Sequence, residues 1–214
     1  LQYLLSSIIL FTLSTIKVSG QTNEGFTKVK KEEGYFLIDS AGSKYKLATS
    51  VEQLDASITA LDLQNNGLAE IPRSVFQHKQ LKVLLLNNNR LTSLPPEIGQ
   101  MTNLTELSLH DNNQLMALPP EIGKLNKLTH LYLRNNQLTN LPPEIGKLTN
   151  LTKLDLTNNQ LTTLPSEIGK LTNLTYLGLT YNQLTTLPLE IEKLTKLTML
   201  GLWNNKLTNL QPDI

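Results

Sequence analysis

Three observations in this sequence predict an α/β solenoid. From Ile58 onward one phrase, close to LxxLxLxxNxLxxLPxxIxxLTN, occurs seven times, beginning at Ile58, Leu81, Leu104, Leu128, Leu151, Leu174 and Leu197. Every step is 23 residues except that from Leu104 to Leu128, which is 24. Leucines hold fixed slots in each unit, and an Asn and a Pro recur at fixed offsets. Self-similarity of this length marks units that bury their apolar faces only against their neighbours. Such a stack offers a long, shallow surface and little room for an enclosed pocket.

The elements follow in chain order. Residues 1–20 open with the apolar run Leu1–Ile16 and end in Val18-Ser19-Gly20, which reads as a signal peptide cut after Gly20. The run's 16 residues fall short of the roughly 20 that a membrane-spanning helix needs. The expectation is a protein of the cell envelope (periplasm or outer surface) or secreted. No Met and no basic stretch precedes the run, as expected where the natural start lies upstream.

Residues 21–57 lie outside the repeat and are expected to cap it. Tyr35–Ile38 and Tyr45–Ala48 are β-prone runs on either side of DSAGSK, a hairpin pattern. Ser50, with Gln53 three residues later, predicts a capped helical turn. Residues 58–214 form the repeat domain, its seventh unit incomplete. In each unit the leucines at positions 1, 4 and 6, such as Leu151, Leu154 and Leu156, face inward along a short strand. Parallel stacking at about 4.8 Å makes a ribbon of roughly 34 Å.

The Asn at position 9, present as Asn66, Asn89, Asn136, Asn159, Asn182 and Asn205, with Asn112 or Asn113 in the third unit, is expected to bond the backbone of a buried reversal. Pro95, Pro119, Pro142, Pro165 and Pro188 open short helical turns on the opposite flank. Glu121/Lys124, Glu144/Lys147, Glu167/Lys170 and Glu190/Lys193 are spaced to pair there weakly. The extra residue in HDNNQL predicts a bulge at the rim.

Composition narrows the function. Lys+Arg number 19 and Asp+Glu 18, so no one-signed field favours nucleic acid or an anionic membrane. Without the leader the balance is 19 − 1 − 18 = 0. Cysteine is absent, which removes disulfides, thiolate metal sites, a cysteine nucleophile and a lipidated cysteine.

With the scaffold slots assigned, function falls to the outward positions 3, 5, 7 and 8. The third column runs Ala60, Val83, Glu106, His130, Lys153, Tyr176, Met199; the fifth, Asp62, Leu85, Ser108, Tyr132, Asp155, Gly178, Gly201. The seventh runs Gln64, Asn87, His110, Arg134, Thr157, Thr180, Trp203, and the eighth is mostly Asn, broken by Asp111 and Tyr181. Of five aromatic residues from Ile58 onward, Tyr132, Tyr176, Tyr181 and Trp203 stand in these columns; the fifth is Phe76. Tyr, Trp, Arg and Met are enriched at interface cores, although strands also favour aromatics for their own sake. The predicted contact residues are therefore Tyr132, Arg134, Lys153, Tyr176, Tyr181, Met199 and Trp203, with His130 and Asp155 beside them, and the predicted ligand is a protein.

Catalytic readings are weaker. Ser108, His130 and Asp155 have the residue types of a hydrolase triad, but an open sheet supplies neither water exclusion nor an oxyanion site. His110, Asp111 and His130 do not make a closed ligand set, and no Gly-rich phosphate loop follows a strand. No enzyme activity, cofactor, metal, nucleic acid or small-molecule substrate is expected. The NLT sequons at Asn103, Asn150 and Asn173 arise from the repeat wording itself.

The segments LPPEIGKLTNLTKLDLTNNQL (141–161), LPSEIGKLTNLTYLGLTYNQL (164–184) and LPLEIEKLTKLTMLGLWNNKL (187–207) resemble the leucine-rich repeat family, in its 23-residue LPxxIxxL subtype. That subtype occurs in Ras-group-related proteins and in exported bacterial proteins, notably of spirochaetes. The resemblance covers 58–214. It implies a right-handed horseshoe with a parallel sheet on the concave side, and protein binding or adhesion there. The near-identical units and the leader look more like the exported set; an intracellular scaffold or signalling regulator of the Ras-group kind is the alternative. Two departures stand out. His78 replaces the usual Leu in the first unit, so looser packing is expected there. The sequence stops in mid-unit at Leu210–Ile214, which predicts either further sequence or another chain over that edge, including self-association.

Overall fold

The computed structural model describes residues 17–21, 25–31 and 33–208. Among them eleven strands form one sheet in strict chain order. The first four, β1 (Lys17–Gln21), β2 (Thr27–Lys31), β3 (Gly34–Ile38) and β4 (Lys44–Ala48), pair antiparallel. Seven three-residue strands follow: β5 (Ala60–Asp62), β6 (Val83–Leu85), β7 (Glu106–Ser108), β8 (His130–Tyr132), β9 (Lys153–Asp155), β10 (Tyr176–Gly178) and β11 (Met199–Gly201). From β4 onward every pairing is parallel. The predicted leader lies outside the described residues as far as residue 16, and the predicted cut falls within β1, between Gly20 and Gln21.

Strand alternation puts the middle residue of each triplet on the inner face and its two neighbours on the other. Leu61, Leu84, Leu107, Leu131, Leu154 and Leu177 are accordingly wholly buried, in one core with Ile98, Ile122, Ile145 and Ile168 from the opposite flank. After each strand the chain reverses through a residue in the left-handed region: Asn65, Asn88, Asp111, Asn135, Asn158, Tyr181 and Asn204.

The next residue is the rung of an asparagine ladder. Asn159 Oδ1 accepts from the Leu138 N–H at 3.0 Å, while Nδ2 donates to the carbonyls of Leu133 (2.9 Å) and Leu156 (3.0 Å). Asn182 and Asn205 repeat the pattern. Asn66 does not: it is exposed, and only its backbone N–H reaches the ladder, at Asn89 Oδ1. In the third unit Asn112 is the rung, and Asn113, exposed with φ 55°, is the extra residue. The insertion has an effect one unit on. Asn136 Oδ1 is buried without a hydrogen bond, where its counterparts accept from the preceding unit.

The convex links are five-residue 3-10 turns, from Arg73–Gln77 and Pro96–Gln100 through Leu189–Lys193, rather than α-helical ones. The five prolines Pro95, Pro119, Pro142, Pro165 and Pro188 sit just before the turn in extended geometry. Close stacking makes a glycine necessary inside these turns. A Cβ on Gly123 would stand 2.6 Å from the Glu144 carbonyl oxygen, and one on Gly146 2.5 Å from that of Glu167. Of the four expected Glu/Lys pairs, Glu167–Lys170 comes within reach, at 3.9 Å. His78 closes the first turn half-buried, where Met101 and Leu125 are wholly buried.

The N-terminal strands do more than extend the sheet. Leu47 lies opposite Ala60 in the parallel register, so alternate residues of β3 and β4 face the concave side. There Phe26, Leu37 and Leu47 form a second apolar core with Ala60, Val83 and Leu85. Phe26 meets Tyr45 edge to face, with ring centres 5.9 Å apart, and Lys28 pairs with the buried Asp62 at 3.4 Å. On the inner face Val51 and Leu54 pack against the main core. The turn Val51–Gln53 is three residues of 3-10 helix without the predicted Ser50 cap; Gln53 Oε1 instead accepts from the Thr49 N–H at 2.8 Å.

Candidate functional site

The outward columns divide into two halves. In the first three units the third and fifth columns are not open, contrary to expectation: Ala60, Val83, Leu85 and Ser108 are fully buried and Asp62 and Glu106 nearly so, with Asn87 and His110 of the seventh column buried too, while Asn65 and Asn88 of the eighth stay exposed. One signal in the sequence points this way. The unbroken run Val83-Leu84-Leu85-Leu86 is the mark of a strand covered on both faces. The open half begins at β8.

There four of the predicted residues, His130, Tyr132, Lys153 and Tyr176, come together. His130 stacks on Tyr132 with an interplanar angle of 21°. The Lys153 ammonium lies 4.9 Å from the Tyr132 ring centre and 5.3 Å from that of Tyr176, between tyrosines of the two neighbouring strands. Tyr132 corrects the expectation of a fully outward anchor: it is 7% exposed, walled by these neighbours. Arg134 is exposed just past β8, while Asp155 and Tyr176 are half-buried. Met199, Tyr181 and Trp203 are open to solvent, Trp203 the most, at 81%.

Burial, reinforced by the Lys153 charge, lowers the His130 pKa, and the Asp39 carboxylate of the N-terminal hairpin opposes the shift. His130 is therefore a neutral ring at pH 7. Burial and the Asp155 charge raise the Tyr176 phenol, against a Thr157 hydrogen bond and the Arg134 charge. Gly178 makes room for this arrangement. A Cβ there would lie 2.6 Å from Asp155 Oδ1 and 2.9 Å from the Tyr176 hydroxyl. The missing side chain is the slot in which Tyr176 lies across β10.

Tyr181 is the exception in its column. Every other unit has Asn or Asp at this reversal, and Tyr181 holds the same left-handed geometry, φ 57°, with 57% of its surface exposed. A bulky residue there costs roughly 1 kcal/mol that Asn avoids. Tyr181→Asn is expected to raise stability by about that amount in urea unfolding; a loss of stability would show that the ring is there for packing.

Ser108, His130 and Asp155 stand on three successive strands. Ser108 Oγ is buried and 3.4 Å from Asn87 Oδ1. His110 Nδ1 meets Asp111 at 2.6 Å, whereas His130 Nδ1 meets Thr129 Oγ1 at 2.9 Å.

A stack of identical units with one shallow face rich in aromatic side chains defines a recognition scaffold. The particular family is equally plain. A family model described as "Leucine-rich repeat region" matches residues 118–214, and one described as "Leucine Rich repeats (2 copies)" matches 79–121. The chain belongs to the leucine-rich repeat family. It is similar to a solved leucine-rich repeat protein of Leptospira interrogans, with 39% identity and a TM-score of 0.68 over 78% of this chain and 49% of that one. It also resembles the ectodomain of the Arabidopsis thaliana membrane receptor kinase GASSHO1/SCHENGEN3, solved in complex with CASPARIAN STRIP INTEGRITY FACTOR 2 (34% identity, TM-score 0.52, 70% of this chain and 22% of that one). A 48-residue stretch is 46% identical to the CCR4-Not complex 3'-5'-exoribonuclease subunit Ccr4 of Aspergillus niger, 22% of this chain and 7% of that protein. The chain thus spans about half the length of the Leptospira protein and a small part of the curated relative.

Proposed function

We infer that this chain is an exported, non-catalytic recognition module that binds a partner protein on the concave face of its fourth to seventh units. The observation that carries the reading is the exposed aromatic set at the open half, above all Tyr181, held in a strained geometry that every other unit gives to Asn or Asp. Strain kept at an exposed site points to use of the side chain. Large, stiff aromatic rings are effective anchors because they bury much area for few lost rotamers. The plant ectodomain, solved in complex with CASPARIAN STRIP INTEGRITY FACTOR 2, is a precedent for a leucine-rich repeat domain that carries a ligand. Export rests on the apolar run Leu1–Ile16 and the small residues that follow it.

Two experiments test the two parts. The double variant Tyr176→Ala/Trp203→Ala is expected to fold as the parent does and to lose at least about tenfold in partner capture, as loss of two anchors implies. Undiminished capture from host or envelope extract would refute the concave assignment. N-terminal sequencing of the mature chain is expected to begin at Gln21. A cytosolic chain that keeps residues 1–20 would refute export.

A further inference from the structure

We propose that the partner presents an acidic side chain, Asp or Glu, to Lys153 and Arg134, seated between Tyr132 and Tyr176. This deepens the concave-face reading and rests on it.

Lys153 stands opposite His130 in the β8–β9 register and Arg134 lies two residues past β8, and neither forms an ion pair with a carboxylate among the described residues. Asp155, two residues from Lys153 on the same face, is not that partner. Its Oδ1 accepts the Thr157 N–H at 3.1 Å and packs beside the Gly178 slot under the Tyr176 hydroxyl. Lys153 is held instead by two ring faces, at 4.9 and 5.3 Å, from the strands on either side. An ammonium so held has lost rotamer freedom before any ligand arrives, and pre-organisation of this kind lowers the cost of association. Arg134 is exposed, and its charge reaches the Tyr176 phenol.

The surroundings of these two cations favour a single carboxylate on a protein surface over a polyanion. Nucleic acids and sulfated chains need a track of many cations. Here two cations sit among Tyr132, Tyr176, Met199 and Trp203, on a chain whose Lys+Arg (19) and Asp+Glu (18) nearly cancel.

The probes are a Glu-rich peptide, its Gln counterpart, and heparin. Binding is read by Trp203 fluorescence and by chemical shifts of the Tyr132 and Tyr176 rings. The Glu peptide is expected to bind the full chain at least about tenfold more tightly than the Gln peptide, the scale of a charge-assisted hydrogen bond. Lys153→Met/Arg134→Gln is expected to erase the difference, and Lys153→Arg to retain it, with circular dichroism melts confirming that each variant is folded. Equal binding of the two peptides overturns the proposal, as does a preference that survives in the double variant. Tighter binding of heparin than of the Glu peptide also overturns it, in favour of a polyanion. In capture experiments, loss with Tyr176→Ala/Trp203→Ala but not with Lys153→Met/Arg134→Gln removes the acidic partner and leaves the concave face standing; no loss with either removes both.

Discussion

Asn159→Ala is expected to destabilise the solenoid by about 2–3 kcal/mol, the scale of leaving a buried N–H without a partner and weakening the bonding of two buried carbonyls. The Leu138 N–H loses its acceptor outright, while the carbonyls of Leu133 and Leu156 each lose one donor and keep another, Asn136 Nδ2 and Asn182 Nδ2. The ladder also predicts a gradient across units. Asn136→Ala should cost less, because its Oδ1 has no hydrogen bond to lose. Asn66→Ala should cost almost nothing, because that side chain is exposed and only its backbone N–H joins the ladder. Urea unfolding of the three variants checks the order. An Asn66→Ala loss equal to that of Asn159→Ala would show that the amide acts through local turn preference and not through the ladder.

Phe26→Ala is expected to cost about 3–5 kcal/mol, the usual range for emptying a buried phenylalanine site. Phe26 is 2% exposed and shares its cluster with Val83 and Leu85 of the second unit, so the damage should spread to the concave side of β6. Hydrogen exchange of the β5 and β6 amides is expected to accelerate strongly in the variant, while that of β10 and β11 is unchanged. Unchanged exchange at β6 would mean that the N-terminal strands contribute nothing to its protection.

The repeat domain was legible because its determinants are local. Leucine spacing places Leu154 inside and Lys153 and Asp155 outside, and the structure does the same. Asn159 and its counterparts were readable as rungs for the same reason, since every unit meets an identical neighbour. Asn66 failed because the preceding element is the cap and not another unit. The occupied half of the concave face was harder to read. Contacts between Phe26 and Leu85 span unrelated segments and leave no periodic trace; only the doubly apolar Val83–Leu86 run records them. The geometry of Tyr181 was likewise hidden: the residue stood out in its column, but that the column requires a left-handed backbone emerges only in three dimensions. The same holds for Lys153 between its two tyrosines, a relation across three strands.

Two methionines provide the most direct test of where this protein binds. Met199, on the open concave face, and Met116, in the third unit outside any strand, are both 58% exposed and should oxidise alike in hydroxyl-radical footprinting of the free chain. With the captured protein bound, Met199 and Trp203 are expected to become protected while Met116 oxidises as before. Protection of Met116 with Met199 and Trp203 still reactive would contradict the account and move the partner away from the concave face.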